Sequence, residues 1–351
     1  PERSSISDTL VNIVIDLRRY KQREWNSSGG YDPISFAEGA PELSALSATI
    51  EWRNRAFFNT SKQFSTAIMA GIPFEVDFVA PSLSYDVCLS SNWFLGIRFP
   101  TMIVGYYERF IIYEEQKYQE SIDRFGTNLT QRFRLKGRSY VETKSLWEYF
   151  ADASEDNIQE RSVSLKLNID KKDDPLFTKK GLLFNGIIKS AGFGGSRAYS
   201  KMDITLNTYY PITKRSVFAT RIQFGKIWGW DENYDDYSFE KFYLGGSTTM
   251  RGWEVLRFCE NENNEPNGET IRLMTNIEIR QKIYKSFGMT IFSDGGLLAE
   301  VFPKEFYSEL IWDYVIGITV DTPLGPARLD YAIQLNDFSK QKLQLGVQNL
   351  F

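Results

Sequence analysis

Chemistry in this chain must come from carboxylates, ammoniums, guanidiniums and hydroxyls, because its 351 residues include no histidine. That absence removes His-based triads, HExxH zinc sites and imidazole proton shuttles. Cys88 and Cys259 can build neither a four-cysteine zinc site nor a disulfide framework, and two free thiols are favoured over a bond between them. Residue types alone leave open a Ser-Lys or paired-carboxylate hydrolase site. The stretch 191–196 (AGFGGS) is no phosphate loop, since no Lys-Ser/Thr follows it. Asp231, Glu232, Asp235, Asp236, Glu260, Glu262 and Glu265 make residues 229–270 acidic, and a solvated surface is favoured over calcium binding. The same stretch holds 242–253 (FYLGGSTTMRGW), in which Gly245, Gly246 and Gly252 permit a tight path. Its arginine, Arg251, is a planar fork able to engage a carboxylate with two parallel bonds, which lysine cannot do. No metal or cofactor is expected.

The elements that position these groups follow from composition and period. Charged residues are 25% of the chain and balance to −4, which argues against a nucleic-acid partner. Aromatic residues reach 15% although mean hydropathy is only −0.34. No stretch approaches the roughly 18 consecutive apolar residues of a membrane-spanning helix, but a closed barrel also satisfies every backbone group in lipid. The chain starts at Pro1 without a basic-plus-apolar leader, so any such leader is expected to have been processed or trimmed away.

Period two runs through the sequence. Ile277, Ile279 and Ile283 alternate with Asn276, Glu278, Arg280 and Lys282; Tyr314, Ile316 and Ile318 alternate with Asp313, Gly317 and Thr319. Leu329, Tyr331 and Ile333 oppose Arg328, Asp330 and Gln334, while Leu343, Leu345 and Val347 oppose Lys342, Gln344 and Gly346. Side chains alternate across a strand, so each segment has one apolar and one polar face. This pattern predicts strands near 9–19, 45–55, 63–73, 82–91, 100–113, 125–135, 138–149, 159–170, 178–190, 198–209, 216–228, 270–284, 286–295, 311–321, 326–335 and 342–351. Within 138–149 the alternation is poor.

A β-sandwich with one wet face per sheet is one reading. Three features favour an all-β, 16-stranded antiparallel transmembrane barrel occupying residues 1–351 as a single domain. Full charges such as Glu278, Arg280 and Lys282 line one face, as a watery lumen allows. Rings such as Trp228, Trp230, Tyr209 and Tyr210 border the apolar faces. Connections alternate between tight turns, such as 285–286 and 322–326, and long polar loops, such as 20–43 and 229–270. In a barrel the short turns face the periplasm and the long loops face outside.

Several segments together resemble one family. The stretch 242–253 resembles the Gly-Gly-x-x-x-x-Arg-Gly-aromatic signature of the BamA/TamA superfamily of outer-membrane assembly factors, the bacterial surface antigen family. Residues 275–296 (TNIEIRQKIYKSFGMTIFSDGG) resemble its penultimate signature, and 317–335 (GITVDTPLGPARLDYAIQL) its closing hairpin. Phe351 ends the chain as members usually end, and 52–64 and 173–181 fit family turn patterns more loosely.

The resemblance implies that the long outer loop folds into the lumen and that Arg251 pairs there with Glu278 and Asp294. Alternation independently places both acids on the polar face. The loop motif is then Gly245, Gly246, Arg251, Gly252 and Trp253. A lateral seam is expected between the first and last strands, at Val11, Ile13, Ile15, Leu345, Gly346, Val347 and Phe351. Gly346 weakens its strand and permits a kink. The implied function is insertion of outer-membrane proteins in the bacterial outer membrane by opening that seam, with no catalysis. A two-partner-type polypeptide secretion pore is the alternative within the superfamily, and an outer-membrane hydrolase the alternative outside it. Implied partners are outer-membrane lipid, unfolded outer-membrane protein clients, periplasmic POTRA domains and accessory assembly proteins; POTRA repeats are not expected within this sequence.

Overall fold

A computed structural model describes residues 2–3, 11–12, 21–31, 45–73, 82–114, 117–152, 158–230, 240–262, 264, 266–322 and 325–347. Its alternating segments pair in chain order into one antiparallel sheet of sixteen strands, not into two packed sheets. We number them β1 (Arg23–Tyr31), β2 (Ala45–Asn54), β3 (Gln63–Pro73), β4 (Ser82–Ser91), β5 (Thr101–Glu114), β6 (Lys117–Arg134), β7 (Tyr140–Asp152) and β8 (Ile158–Asp170). The second half comprises β9 (Gly181–Ala191), β10 (Tyr199–Pro211), β11 (Ser216–Gly229), β12 (Ile271–Tyr284), β13 (Phe287–Ala299), β14 (Ile311–Thr322), β15 (Gly325–Gln334) and β16 (Gln341–Val347). Each strand pairs with its neighbours in sequence, so β1 and β16 form the two edges, with no ladder between them among the described residues.

The two faces are inverted relative to a water-soluble sheet. Ile279 and Ile316 are 46% and 49% exposed, whereas Glu278 and Asp330, on the opposite face of β12 and β15, are each only 1% exposed. Buried charge survives only when paired, and a broad exposed apolar face calls for a nonaqueous neighbour. The sheet therefore presents aliphatic and aromatic side chains on one face, and on the other the fully buried charges of β12, β13 and β15 lie against the loop that carries Arg251.

One expectation needs correction. The first strand of the sheet is Arg23–Tyr31, inside the stretch expected to be a loop, and not 9–19. Val11 and Asn12 instead form a two-residue ribbon with Arg3 and Glu2, away from the sixteen-stranded sheet. Ile13 and Ile15 lie outside the described residues, as does Phe351. The reason is physical: Arg23–Tyr31 is polar and glycine-bearing, so it carries no alternation, yet its backbone pairs with β2 from Arg23↔Asn54 to Tyr31↔Leu46. An edge strand is held by its ladder and needs no period-two pattern to qualify. The poorly alternating stretch 138–149 is a strand, held between β6 and β8. Its pattern is blurred because Leu146 and Phe150 are buried on the same face as Glu148, while Thr143 and Ser145 share the parity of exposed Trp147.

Placing a charge on the outer face tests this arrangement. Ile279→Arg is expected to lower the unfolding free energy in lipid vesicles by roughly 2–4 kcal/mol, the cost of a cation near the bilayer midplane. Urea titration followed by tryptophan fluorescence measures it; a loss under about 0.5 kcal/mol, the ordinary surface range, means that this face does not meet hydrocarbon.

Candidate functional site: a loop strapped across consecutive strands

Register, not only face, builds the site. Pairing aligns Arg221 of β11 with Asn276 of β12, Asn276 with Asp294 of β13, Asp294 with Asp313 of β14, and Asp313 with Gln334 of β15. These five polar residues form one row running across the strands. The segment Thr248–Gly252 lies along that row, and each member binds the loop in order. Arg221 Nη2 donates to the Thr248 carbonyl at 2.8 Å and Asn276 Nδ2 to the Thr249 carbonyl at 3.0 Å. Asp294 takes the Arg251 side chain, Asp313 Oδ2 accepts the Gly252 N–H at 2.7 Å, and Gln334 Nε2 donates to the Gly252 carbonyl at 2.8 Å.

Arg251 is the centre of this strap and is fully buried. Its Nε and Nη2 grip Asp294 Oδ2 and Oδ1 at 2.8 and 2.6 Å, the two-pronged geometry that only a guanidinium supplies. Nη1 donates to Glu278 Oε1 at 3.2 Å and stands 3.8 Å from Asp330 Oδ2. The guanidinium also stacks over the Phe292 ring, adding a cation–π contact. Around it, the carboxyl groups of Glu278, Asp294, Asp313 and Asp330 are accompanied by the buried guanidiniums of Arg221 and Arg328 and the half-buried one of Arg280.

The loop has an apolar body of its own. Phe242, Leu244, Met250, Trp253 and Phe258 pack with Ala191, Tyr199, Ile227, Met274 and Leu298 of the sheet. Gly245 and Gly246 take φ of +117° and +93°, which an L side chain adopts only under strain. Thr249 closes this turn, its hydroxyl accepting from the Gly245 N–H at 2.9 Å and donating to the Gly245 carbonyl at 2.8 Å. On β16, Gln344 reaches the carbonyls of Arg251 and Trp253, at 3.5 and 3.3 Å, and Lys342 pairs with Glu254. Gly346 stands opposite Arg328, and a Cβ there would lie 2.9 Å from its Nη2. This glycine makes room for a buried guanidinium; Leu345 beside it is exposed on the other face.

A second latch, with no counterpart in the sequence reading, holds the loop's start. Lys189 of β9 and Lys201 of β10 are directly opposed in register, a like-charge pairing that is unfavourable alone. Glu240 lies between them, 2.9 Å from each ammonium, and Glu160 of β8 takes Lys189 at 2.7 Å and the Tyr199 hydroxyl at 2.8 Å. Burial acts to raise the Glu240 pKa, but the two ammoniums outweigh it and hold the carboxyl well below its ordinary range. The signal available beforehand was the shared parity of Lys189 and Lys201 with other polar-face residues; only register makes them a pair.

Beyond the latch, a cavity of about 620 Å³ remains on the polar face, lined by Glu51, Asp86, Glu108, Arg124, Glu148 and Lys189 among others. Cys88 also lines it, Cys259 packs against the loop core, and both thiols are free. Asp231, Glu232, Asp235, Asp236 and Glu265 lie outside the described residues.

Comparison with known proteins gives the family and the fold. The Omp85 superfamily domain matches residues 43–349. BamA of Haemophilus ducreyi lacking POTRA domains 1–3 superposes with a TM-score of 0.70 at 13% identity, covering 92% of this chain and 69% of that one. CdiB of Escherichia coli gives 0.53 at 12% identity over 95% of this chain and 62% of that one. CdiB of Acinetobacter baumannii gives 0.50 at 10% identity over 92% and 58%. In sequence, 95 residues are 30% identical to the mouse sorting and assembly machinery component 50 homolog, spanning 27% of this chain and 20% of that protein. The chain belongs to the Omp85 superfamily and is an integral outer-membrane protein of the β-barrel class. The superfamily serves outer-membrane protein biogenesis and secretion, and its assembly factors are not classical enzymes.

Three variants separate the latches. Arg251→Ala strands buried carboxylates and is expected to cost roughly 3–5 kcal/mol, with Arg251→Lys recovering only part because the fork is lost; vesicle unfolding titrations measure both. Glu240 contributes stability that is present above the ordinary carboxylate value of 4.5 and lost as pH falls toward its lowered one. Glu240→Gln should therefore weaken the protein at neutral pH and flatten the acid limb of its stability profile, and an unchanged limb would assign that limb to other carboxylates.

Proposed function

We propose that this chain is an outer-membrane insertase of the BamA/TamA kind. The sheet closes into a barrel by meeting of β1 and β16, its polar face surrounds a lumen, and the 240–270 loop is folded inside. The observation that carries this reading is the strap: the loop braces β11 to β15 and touches β16 through Gln344 and Lys342, while β1 carries no ladder to β16 among the described residues. One half of the wall is thereby stiffened and the junction beside it left weak.

An unpaired strand edge is an aggregation hazard unless something is meant to pair with it. In this proposal the edge of β16, through Leu345, Gly346 and Val347, templates an incoming client hairpin by β-augmentation and releases it sideways into lipid. Clients are unfolded outer-membrane proteins, delivered by POTRA domains and accessory proteins. A two-partner-type secretion pore is the second reading, favoured by the cavity of about 620 Å³ that the loop leaves open beside β2 to β9.

Cross-linking decides between them. In a Cys88→Ser/Cys259→Ser background, cysteine pairs walked along 25–29 of β1 and 343–347 of β16 should, once oxidised, abolish client insertion into vesicles, and reduction should restore it. Insertion that survives a quantitative cross-link removes lateral opening; polypeptide export through the locked barrel, with conductance rising on Arg251→Ala, would favour the pore.

A further inference from the structure

Strands alternate in direction, so the β2–β3, β4–β5, β6–β7, β8–β9 and β10–β11 connections all lie at one end of the sheet. Two of them are unlike the rest. In the β4–β5 turn, the N–H groups and carbonyls of Phe94 and Ile97 bond reciprocally at 2.9 and 3.0 Å around Leu95 and Gly96, whose φ angles are +49° and +82°. Positive φ at both central positions is a geometry that Asn-Gly or Asp-Gly fills comfortably and that a leucine fills only under strain. Leu95 is nevertheless there, and it is 87% exposed. In the adjacent β2–β3 turn, Phe58 has φ +52° and is 82% exposed. Each turn thus holds a bulky apolar residue in a strained conformation, largely uncovered among the described residues. Strain that local contacts do not offset points to a function at that place.

Both turns continue the outer face of the sheet. Phe58 packs on Phe57 and Phe57 stacks on Phe64 of β3, with ring centroids 4.2 and 4.8 Å apart. Phe64 has the parity of exposed Ile68, and its ring also meets Trp52. Phe99, which ends the second turn, meets the exposed Phe133 of β6 at 4.3 Å. Farther along the same end, the β8–β9 and β10–β11 turns expose Leu176 and Ile212 less, at 41% and 52%, and surround them with exposed Lys171, Lys179, Lys180, Lys214 and Arg215.

We propose that the 55–62 and 92–100 turns are a lipid anchor, seating Phe58 and Leu95 at the headgroup–acyl boundary of the leaflet on this end. Lys62 and Arg98, beside the two tips, face the lipid phosphates. The anchor fixes the depth of β2 to β5 next to the β1 edge, while the charged turns over β8 to β11 stay in water. It rests on the membrane-spanning reading of the sheet, which the test controls separately.

The experiment places single cysteines, labelled with an environment-sensitive fluorophore, in the full chain carrying Cys88→Ser and Cys259→Ser, folded into phosphatidylcholine vesicles. Ile279→Cys reports on the membrane-spanning face and Lys179→Cys on the watery turns. Leu95→Cys and Phe58→Cys should show blue-shifted emission, quenching by lipids spin-labelled near the headgroup and protection from iodide. With Ile279→Cys quenched by lipid, a water-like signal at Leu95 and Phe58 overturns the anchor, as does iodide protection without lipid quenching, which marks a protein contact instead. Loss of lipid quenching at Ile279→Cys overturns the spanning reading itself. Leu95→Asn supplies an independent arm: it suits the turn, so folding in detergent should be unimpaired while folding into vesicles slows several-fold, and equal rates in both would count against the anchor.

Discussion

Burial of the Arg251 guanidinium is the constraint on which the rest of this molecule depends. A cation with no access to water must be matched in charge and in geometry, and here the match comes from Asp294, Glu278 and Asp330 on three different strands. Those acids are as buried as the arginine; Asp294 depends on its fork, while Glu278 and Asp330 also have Arg280 and Arg328 beside them. Asp294 and Asp313 face each other across β13 and β14 and need the loop's N–H and guanidinium groups to coexist. Sheet and loop are therefore mutually obligatory: the wall is not satisfied until the strap is in place.

The same logic extends toward β9 and β10, where Lys189 and Lys201 oppose each other until Glu240 arrives. The loop is held at its entry by ammoniums and at its middle by carboxylates, with an apolar body between them. Two latches of opposite sign restrict it to one orientation on the polar face. They also divide the sheet: β9 to β16 are tied to the loop, while β2 to β7 border open space lined by Glu51, Asp86, Glu108 and Glu148.

Membership of the Omp85 superfamily rests on a match across residues 43–349 together with a shared fold at low identity. At 10–13% identity what is shared is the fold, which in this chain is a sheet of sixteen strands in meander order. Many aliphatic residues satisfy the outer face equally well, so sequence drifts there without cost to the fold.

The sequence by itself determined which face each side chain takes. Period-two alternation put Glu278 and Asp294 on the polar side, along with Asn276, Asp313, Asp330 and Gln334, and it marked most strands to within a few residues. It misled at the start, where Val11 alternates well but stands in a separate ribbon, and Arg23–Tyr31 joins the sheet with no alternation at all. Only the tertiary structure decided register. A period of two is unchanged by any even slip between neighbouring strands, so alternation cannot say that Arg221, Asn276, Asp294, Asp313 and Gln334 fall in one row, or that Lys189 meets Lys201. Those coincidences arise from the lengths of the turns and the summed pairing of all the strands, and it is they that turn a polar face into a seat for the loop.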